Sequence, residues 1–81
     1  MCYVYVIQSI LEKRIYIGQT VDLDKRLQYH NKGLVKSTSH DRPWKLIAFQ
    51  KVENVSEARW IEKNLKNSRG KRLRWIEERS L

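Results

Sequence analysis

The chain has 81 residues, one cysteine and a formal net charge of +8, from 17 Lys and Arg against 9 Asp and Glu. This length allows one small domain, and a single cysteine with two histidines leaves no disulfide framework and too few ligands for an ordinary zinc site. The basic excess favours nucleic acid as partner over a membrane surface, and no apolar run reaches membrane-spanning length. We expect one domain over residues 1–81, with no leader peptide, in a reducing, cytoplasmic setting.

Two strands are predicted at the start of the chain. Residues 3–8 are β-branched and aromatic on both alternating faces, which is typical of a strand buried on both sides. Residues 14–19 form the second strand, with two isoleucines on one face and Tyr16 and Gly18 on the other. A short hairpin connection centred near Ile10 would place Tyr5 opposite Tyr16.

A first helix is predicted to follow, capped by Thr20 or Asp22 and ending near residue 32, with Gly33 as a left-handed cap. Leu23 and Leu27 form its apolar stripe at four-residue spacing. The same spacing joins the polar side chains that lie on a neighbouring face, namely Asp22, Arg26 and His30.

The second half of the chain predicts an irregular polar segment over residues 33–43, a third strand over 44–52 and a helix capped by Ser56. The buried stripe of this helix comprises Ala58, Ile61 and Leu65. Residues 68–70 are predicted to break it before a last basic helix over residues 71–79. The inward residues of that last helix are predicted to be Leu73 and Ile76. Trp60 and Trp75 are interpreted as packing residues.

These elements follow one another in the order β-β-α-β-α-α. A run of this kind is typical of the α+β class. We therefore predict a small three-stranded, mainly antiparallel sheet flanked by about three helices.

The polar residues on these elements include the groups that a phosphodiesterase requires. Hydrolysis needs an oxygen ligand for a hard metal, a cation on the phosphate and a group that deprotonates water. Glu62 lies in a basic stretch, Arg26 and His30 lie one helical turn apart, and Tyr16 precedes a glycine. Taken alone, these residues leave a nucleic-acid-binding domain and a nuclease both open.

An ordered set of motifs makes the nuclease interpretation specific. It comprises Tyr3-Val4-Tyr5, Tyr16-Ile17-Gly18 with Gln19-Thr20, Leu23-Asp24-Lys25-Arg26-Leu27 with His30-Asn31, and Ser56-Glu57-Ala58 with Glu62, Asn64, Leu65 and Lys66. This set resembles the GIY-YIG nuclease family, and most of all its small standalone bacterial members related to the N-terminal domain of excinuclease C. The first triplet departs from the family pattern, because Tyr3 stands where the glycine is expected.

The resemblance implies a metal-dependent endonuclease that hydrolyses DNA, in its repair or processing, with RNA not excluded. Glu62 would hold one Mg²⁺ or Mn²⁺, and Arg26 would bind the phosphate. Tyr16 would deprotonate or orient the attacking water, with Tyr5 or His30 assisting and with nearby cations lowering the tyrosine pKa. The residues expected to contact the substrate are Gly18, Asn31 and Lys66.

Each of these residues also has a purely structural interpretation. Tyr5 could be strand packing, Arg26 could pair with Asp22, and His30 could complement the helix dipole. Glu62 could pair with Arg59 or Lys66, and Asn31 could belong to the helix terminus.

At the level of the whole chain, three alternatives to a nuclease stay open. They are a non-catalytic binding module with the same fold, a subunit that docks through Trp60, Trp75 and the last helix, and a peripheral membrane protein. We expect a monomer with no membrane association. Because the chain ends at Leu81 without a recognition domain, we expect target recognition either to come from a protein partner or to be poor.

Overall fold

A three-stranded antiparallel sheet with helices on both faces organises the molecule, and the computed structural model describes all residues, Met1–Leu81. The elements in chain order are β1 (Cys2–Ser9), β2 (Ile15–Thr20), α1 (Leu23–Asn31), a 3₁₀ helix (Lys36–Asp41), β3 (Trp44–Val52), α2 (Val55–Asn67) and α3 (Arg69–Arg79). The predicted α+β class and element order are confirmed. None of the helices has the length and apolar character needed to cross a bilayer.

The central strand β1 pairs with both neighbours, so the sheet order is β2-β1-β3. Val4 and Val6 on one face belong to a core that receives α2 and α3. Tyr5 and Ile7 on the other face pack with Trp44 and with the apolar stripe of α1. Both faces of β1 are therefore buried, as its unbroken apolar sequence predicts.

Helix α1 begins after Asp22, whose carboxylate accepts a hydrogen bond from the Lys25 N–H at 3.0 Å. Gly33 follows the helix with φ +78°, a left-handed conformation that glycine adopts without a side-chain clash. The predicted cap, stripe and terminator of this helix are confirmed. The following segment is more regular than predicted, because residues Lys36–Asp41 form the 3₁₀ helix.

Helix α2 begins two residues earlier than predicted. Asn54 is its N-cap, and the Asn54 side chain accepts a hydrogen bond from the Glu57 N–H at 2.8 Å. The prediction of Ser56 as the cap was wrong, since Ser56 lies inside the first turn. The apolar stripe is confirmed, because Ala58 and Leu65 are buried and Ile61 packs against the same core.

Helix α3 begins at Arg69, because Ser68 both ends α2 and caps α3 with its side chain. The prediction for its inward face was half correct. Ile76 packs against the core, but Leu73 is 52% exposed and Trp75 is buried in its place. Trp60 was also predicted to pack, and it is 68% exposed. Trp75 is held by a hydrogen bond from its indole N–H to the Gln50 side chain on β3.

Candidate active site

Four of the predicted site residues meet on the face of the sheet that carries α1. The Tyr5 hydroxyl lies 2.8 Å from Nε2 of His30, and the Arg26 Nε–H donates to the same hydroxyl at 3.4 Å. The Tyr16 ring centroid lies 5.0 Å from that of His30 and 6.4 Å from that of Tyr5. Strands β1 and β2 and helix α1 thus bring two phenols, a guanidinium and an imidazole together.

The register between β1 and β2 differs from the predicted one by two residues. Tyr5 lies opposite Gly18, and Ile7 lies opposite Tyr16. The reason is a longer hairpin connection, closed by a hydrogen bond from the Ser9 N–H to the Arg14 carbonyl. Because side chains alternate faces with a period of two, a shift of two residues keeps both tyrosines on the same face.

Gly18 provides the space that the Tyr5 hydroxyl occupies. A Cβ atom on Gly18 would lie 2.6 Å from the Tyr5 hydroxyl oxygen and 2.7 Å from its Cζ, closer than such atoms approach. Any side chain at this position would therefore displace the Tyr5 ring. Gly18 is therefore needed to accommodate the Tyr5 ring, whereas its contact with substrate stays a prediction.

His30 is fully buried, although its position at the end of α1 is equally typical of an exposed residue. Its Nδ1 lies 2.8 Å from the Thr38 hydroxyl, so both ring nitrogens have hydrogen-bonding partners. Burial, with a smaller contribution from the Arg26 charge, lowers the pKa of His30 to about 4. The imidazole is therefore neutral at neutral pH.

Burial and the neighbouring Arg26 have opposite effects on the pKa of the Tyr5 hydroxyl. Burial raises the pKa of Tyr5, and this effect outweighs the lowering by the hydrogen bond and the charge of Arg26. Arg26 thus lowers the pKa of Tyr5 as expected of a nearby cation, but the net shift is upward because the residue is 2% exposed. The hydrogen bond to Tyr5 in turn raises the pKa of Arg26.

Glu62 lies on α2, which packs against the face of the sheet opposite to α1. Its negative charge makes the smallest of the contributions to the pKa of Tyr5, and it acts to raise that pKa. One carboxylate oxygen, Oε2, accepts a hydrogen bond from Lys66 Nζ at 2.7 Å. The other, Oε1, is buried without a hydrogen-bonding partner. No group of three or more His, Cys, Asp or Glu side chains surrounds it.

Two residues predicted to bind substrate have other contacts. The Asn31 side chain donates to the Trp44 carbonyl at 3.0 Å and accepts from the Trp44 N–H at 2.6 Å, which joins α1 to β3. Lys66 forms the ion pair with Glu62. Thr38, which contacts His30, was not predicted, because nothing in the local sequence marks one hydroxyl of a polar segment as buried.

Comparison with known proteins identifies a matching domain family and several relatives. The chain matches the GIY-YIG catalytic domain over residues 1–74. It is 37% identical over 79 residues to a UPF0213 protein of Syntrophus aciditrophicus, covering 94% of this chain and 90% of that protein. It is 35% identical over 83 residues to a UPF0213 protein of Clostridium perfringens, covering 100% of this chain and 88% of that protein.

One further relative, matched over a shorter segment, carries a functional name. The structure-specific endonuclease subunit slx1 of Schizosaccharomyces japonicus is 39% identical over 51 residues, which are 59% of this chain and 19% of that protein. No solved structure matches the chain significantly. The GIY-YIG match covers most of the chain, and the UPF0213 relatives confirm the resemblance to small standalone proteins. The chain therefore belongs to the GIY-YIG family of nuclease catalytic domains.

Proposed function

We propose that the chain is an endonuclease that hydrolyses phosphodiester bonds in DNA and depends on a bound divalent cation, Mg²⁺ or Mn²⁺. The observation that carries the proposal is the convergence of Tyr5, Tyr16, Arg26 and His30 on one face of the sheet. The unpaired carboxylate oxygen of Glu62 on α2 supports a metal site. Family membership and the net charge of +8 support a nucleic-acid substrate. The name of the slx1 relative supports cleavage within a strand.

The donor set fits a hard cation. A buried carboxylate oxygen without a partner is unfavourable, and a cation beside Oε1 of Glu62 would remove that penalty. Mg²⁺ keeps several of its waters and often binds through one or two carboxylates plus substrate phosphate, so a single carboxylate suffices. When bound, the cation supplies Lewis-acid stabilisation to the scissile phosphate and the leaving oxygen.

In the proposed site, Arg26 binds the phosphate. Its Nε–H donates to Tyr5, and its terminal nitrogens can still donate to nonbridging phosphate oxygens. Negative charge builds on those oxygens as the reaction proceeds, so a fixed guanidinium lowers the barrier more than it strengthens ground-state binding. Arg26 is partly exposed, which leaves this approach open.

In the proposed site, Tyr16 holds the attacking water. It is partly exposed and acts on Arg26 closely enough to contribute to its raised pKa, whereas Tyr5 is buried. In the proposed step the water oxygen bonds to phosphorus, and its proton passes through the Tyr16 hydroxyl to solvent. The bond from phosphorus to the leaving 3′ oxygen breaks, and that oxygen takes a proton from solvent.

Glu62→Gln tests the proposal in a supercoiled-plasmid nicking assay with Mg²⁺ or Mn²⁺. The amide is a much poorer ligand for a hard cation, so we expect metal-dependent nicking to be lost. DNA binding without metal should be unchanged or slightly tighter, because a negative charge near the phosphate has been removed. Glu57→Gln is the matched control, since Glu57 lies exposed in the first turn of the same helix.

Two results would contradict the proposal in different ways. Metal-dependent nicking by Glu62→Gln at the wild-type rate would remove Glu62 as the metal ligand. Absence of nicking by the wild-type protein, combined with intact DNA binding, would favour a non-catalytic binding module with a GIY-YIG fold.

A further inference from the structure

Thr38 has the surroundings of a residue that holds another in place. It is 1% exposed within the 3₁₀ helix. Its hydroxyl lies 2.8 Å from Nδ1 of His30 and 3.3 Å from the Val35 carbonyl oxygen. Its own carbonyl accepts a hydrogen bond from the Trp44 indole N–H at 2.8 Å. Trp44 is 3% exposed, so Thr38 is fixed to the core from its backbone side as well.

The direction of each hydrogen bond follows from what the groups can donate. The Val35 carbonyl can only accept, so the Thr38 hydroxyl donates to it. The Thr38 oxygen then accepts from Nδ1–H of His30. A neutral imidazole carries one N–H, which leaves Nε2 as an acceptor for the Tyr5 hydroxyl. The Tyr5 oxygen in turn accepts from Arg26.

The opposite tautomer would leave this network unsatisfied. With the proton on Nε2, the Tyr5 oxygen would face two donors, one from His30 and one from Arg26. The Tyr5 hydroxyl proton would then need another acceptor, in a residue that is 2% exposed. Buried polar groups rarely stay unpaired, so the Nδ1–H tautomer is the one that this environment selects.

We infer that Thr38 is a positioning residue of the nuclease site: it fixes the Nδ1–H tautomer of His30, which holds the Tyr5 hydroxyl proton and turns the Tyr5 oxygen toward Arg26. Thr38 touches neither substrate nor metal in this scheme, and it acts through three successive side chains. Its catalytic consequence rests on the proposed nuclease function. The tautomer itself does not, because it can be observed without any cleavage.

Thr38→Val and Thr38→Ser test the inference, since valine keeps the shape without the hydroxyl and serine keeps the hydroxyl. Nitrogen NMR of ¹⁵N-histidine-labelled protein at neutral pH reads the tautomer, and His40→Gln assigns the signals by removing the other histidine. We expect Nδ1–H at His30 in the wild type and in Thr38→Ser. In Thr38→Val the buried Nδ1–H would have no acceptor, so we expect the proton to move to Nε2.

Cleavage under single-turnover conditions supplies the second measurement. Hydrogen-bonding partners of metal-binding side chains affect activity by about 10- to 100-fold, and by analogy we expect Thr38→Val to slow cleavage within that range while the Kd for DNA changes little. Thr38→Ser should restore most of the rate. Ser39→Ala is the matched control, because its hydroxyl binds only the Lys36 carbonyl on an exposed part of the same 3₁₀ helix.

Each contradictory outcome has a distinct meaning. An Nε2–H tautomer in the wild type would overturn the inference whatever the cleavage data show, and this holds even if Thr38→Val does not fold. A changed tautomer with an unchanged rate would overturn the positioning role, as would loss of activity in Thr38→Ser with the tautomer retained. A wild-type protein that cleaves nothing would refute the nuclease proposal, with the NMR result then deciding the hydrogen-bond assignment separately.

Discussion

Acidification should destabilise the fold through His30. The side chain is fully buried, and burial together with the Arg26 charge holds its pKa at about 4, against an ordinary value of 6.5. Between these two pH values the unfolded chain binds the proton and the folded chain does not. The free energy of unfolding therefore falls as the pH falls from about 6.5 to about 4.

The size of this effect follows from the pKa difference. One pKa unit corresponds to about 1.4 kcal/mol, so His30 alone should remove roughly 3 kcal/mol of stability by pH 4. That loss is a substantial fraction of the free energy of unfolding of a typical domain, which is about 5–15 kcal/mol. Well above pH 6.5 the histidine is neutral in both states and contributes no pH dependence.

Urea unfolding followed by tryptophan fluorescence at pH 7, 6, 5 and 4 measures the effect. His30→Gln removes the titrating group, so its stability should fall less between pH 7 and pH 4, by about 3 kcal/mol, than that of the wild type. Comparing the two pH-dependent losses cancels the lower starting stability of the variant. His40→Gln is the control for the exposed histidine. Equal losses in wild type and His30→Gln would refute the reasoning, because His30 would then be no harder to protonate when folded.

Substitutions at two residues of the cluster, Gly18 and Arg26, give the remaining predictions. Gly18→Ala should destabilise by roughly 1–3 kcal/mol in urea unfolding, because its Cβ would lie 2.6 Å from the Tyr5 hydroxyl. Gly70→Ala, in α3 with no atom within 4 Å, should stabilise by about 0.4–1 kcal/mol, and equal behaviour of the two variants would contradict the crowding argument. Arg26→Ala should lower the single-turnover cleavage rate far more than DNA binding, with Arg26→Lys a partial rescue because the fork geometry is lost. Equal losses of rate and binding would favour simple phosphate anchoring.

Local signals in the sequence predicted most of the fold. The third strand has the predicted limits, and the two faces of β2 follow its alternation. The wrong predictions lie where the local sequence favours two alternatives equally. Asn54 and Ser56 are both favourable caps, and only the observed contact with the Glu57 N–H decides between them. Helix α3 has too few apolar residues for its sequence to determine which face is buried. Packing against β3 buries Trp75.

The candidate site was recognised from motif order, whereas its geometry depends on contacts distant in sequence. The hairpin carries no strong turn signal, so its register was misplaced by two residues. Alternation of side chains kept Tyr5 and Tyr16 on one face despite that error. The burial of His30 was beyond prediction, because it requires the 3₁₀ helix and Thr38 to close over the end of α1.

The candidate site has a buried half and a partly exposed half. Tyr5, His30 and Thr38 are all at most 2% exposed and satisfy one another's hydrogen bonds. Arg26 and Tyr16 are partly exposed, and Glu62 keeps one carboxylate oxygen unpaired. Groups whose bonding is complete within the protein can orient their neighbours but have little capacity left for a ligand. In the proposed mechanism, substrate and metal would therefore be bound by the partly exposed half, while the buried half would hold Arg26 in the geometry that the reaction needs.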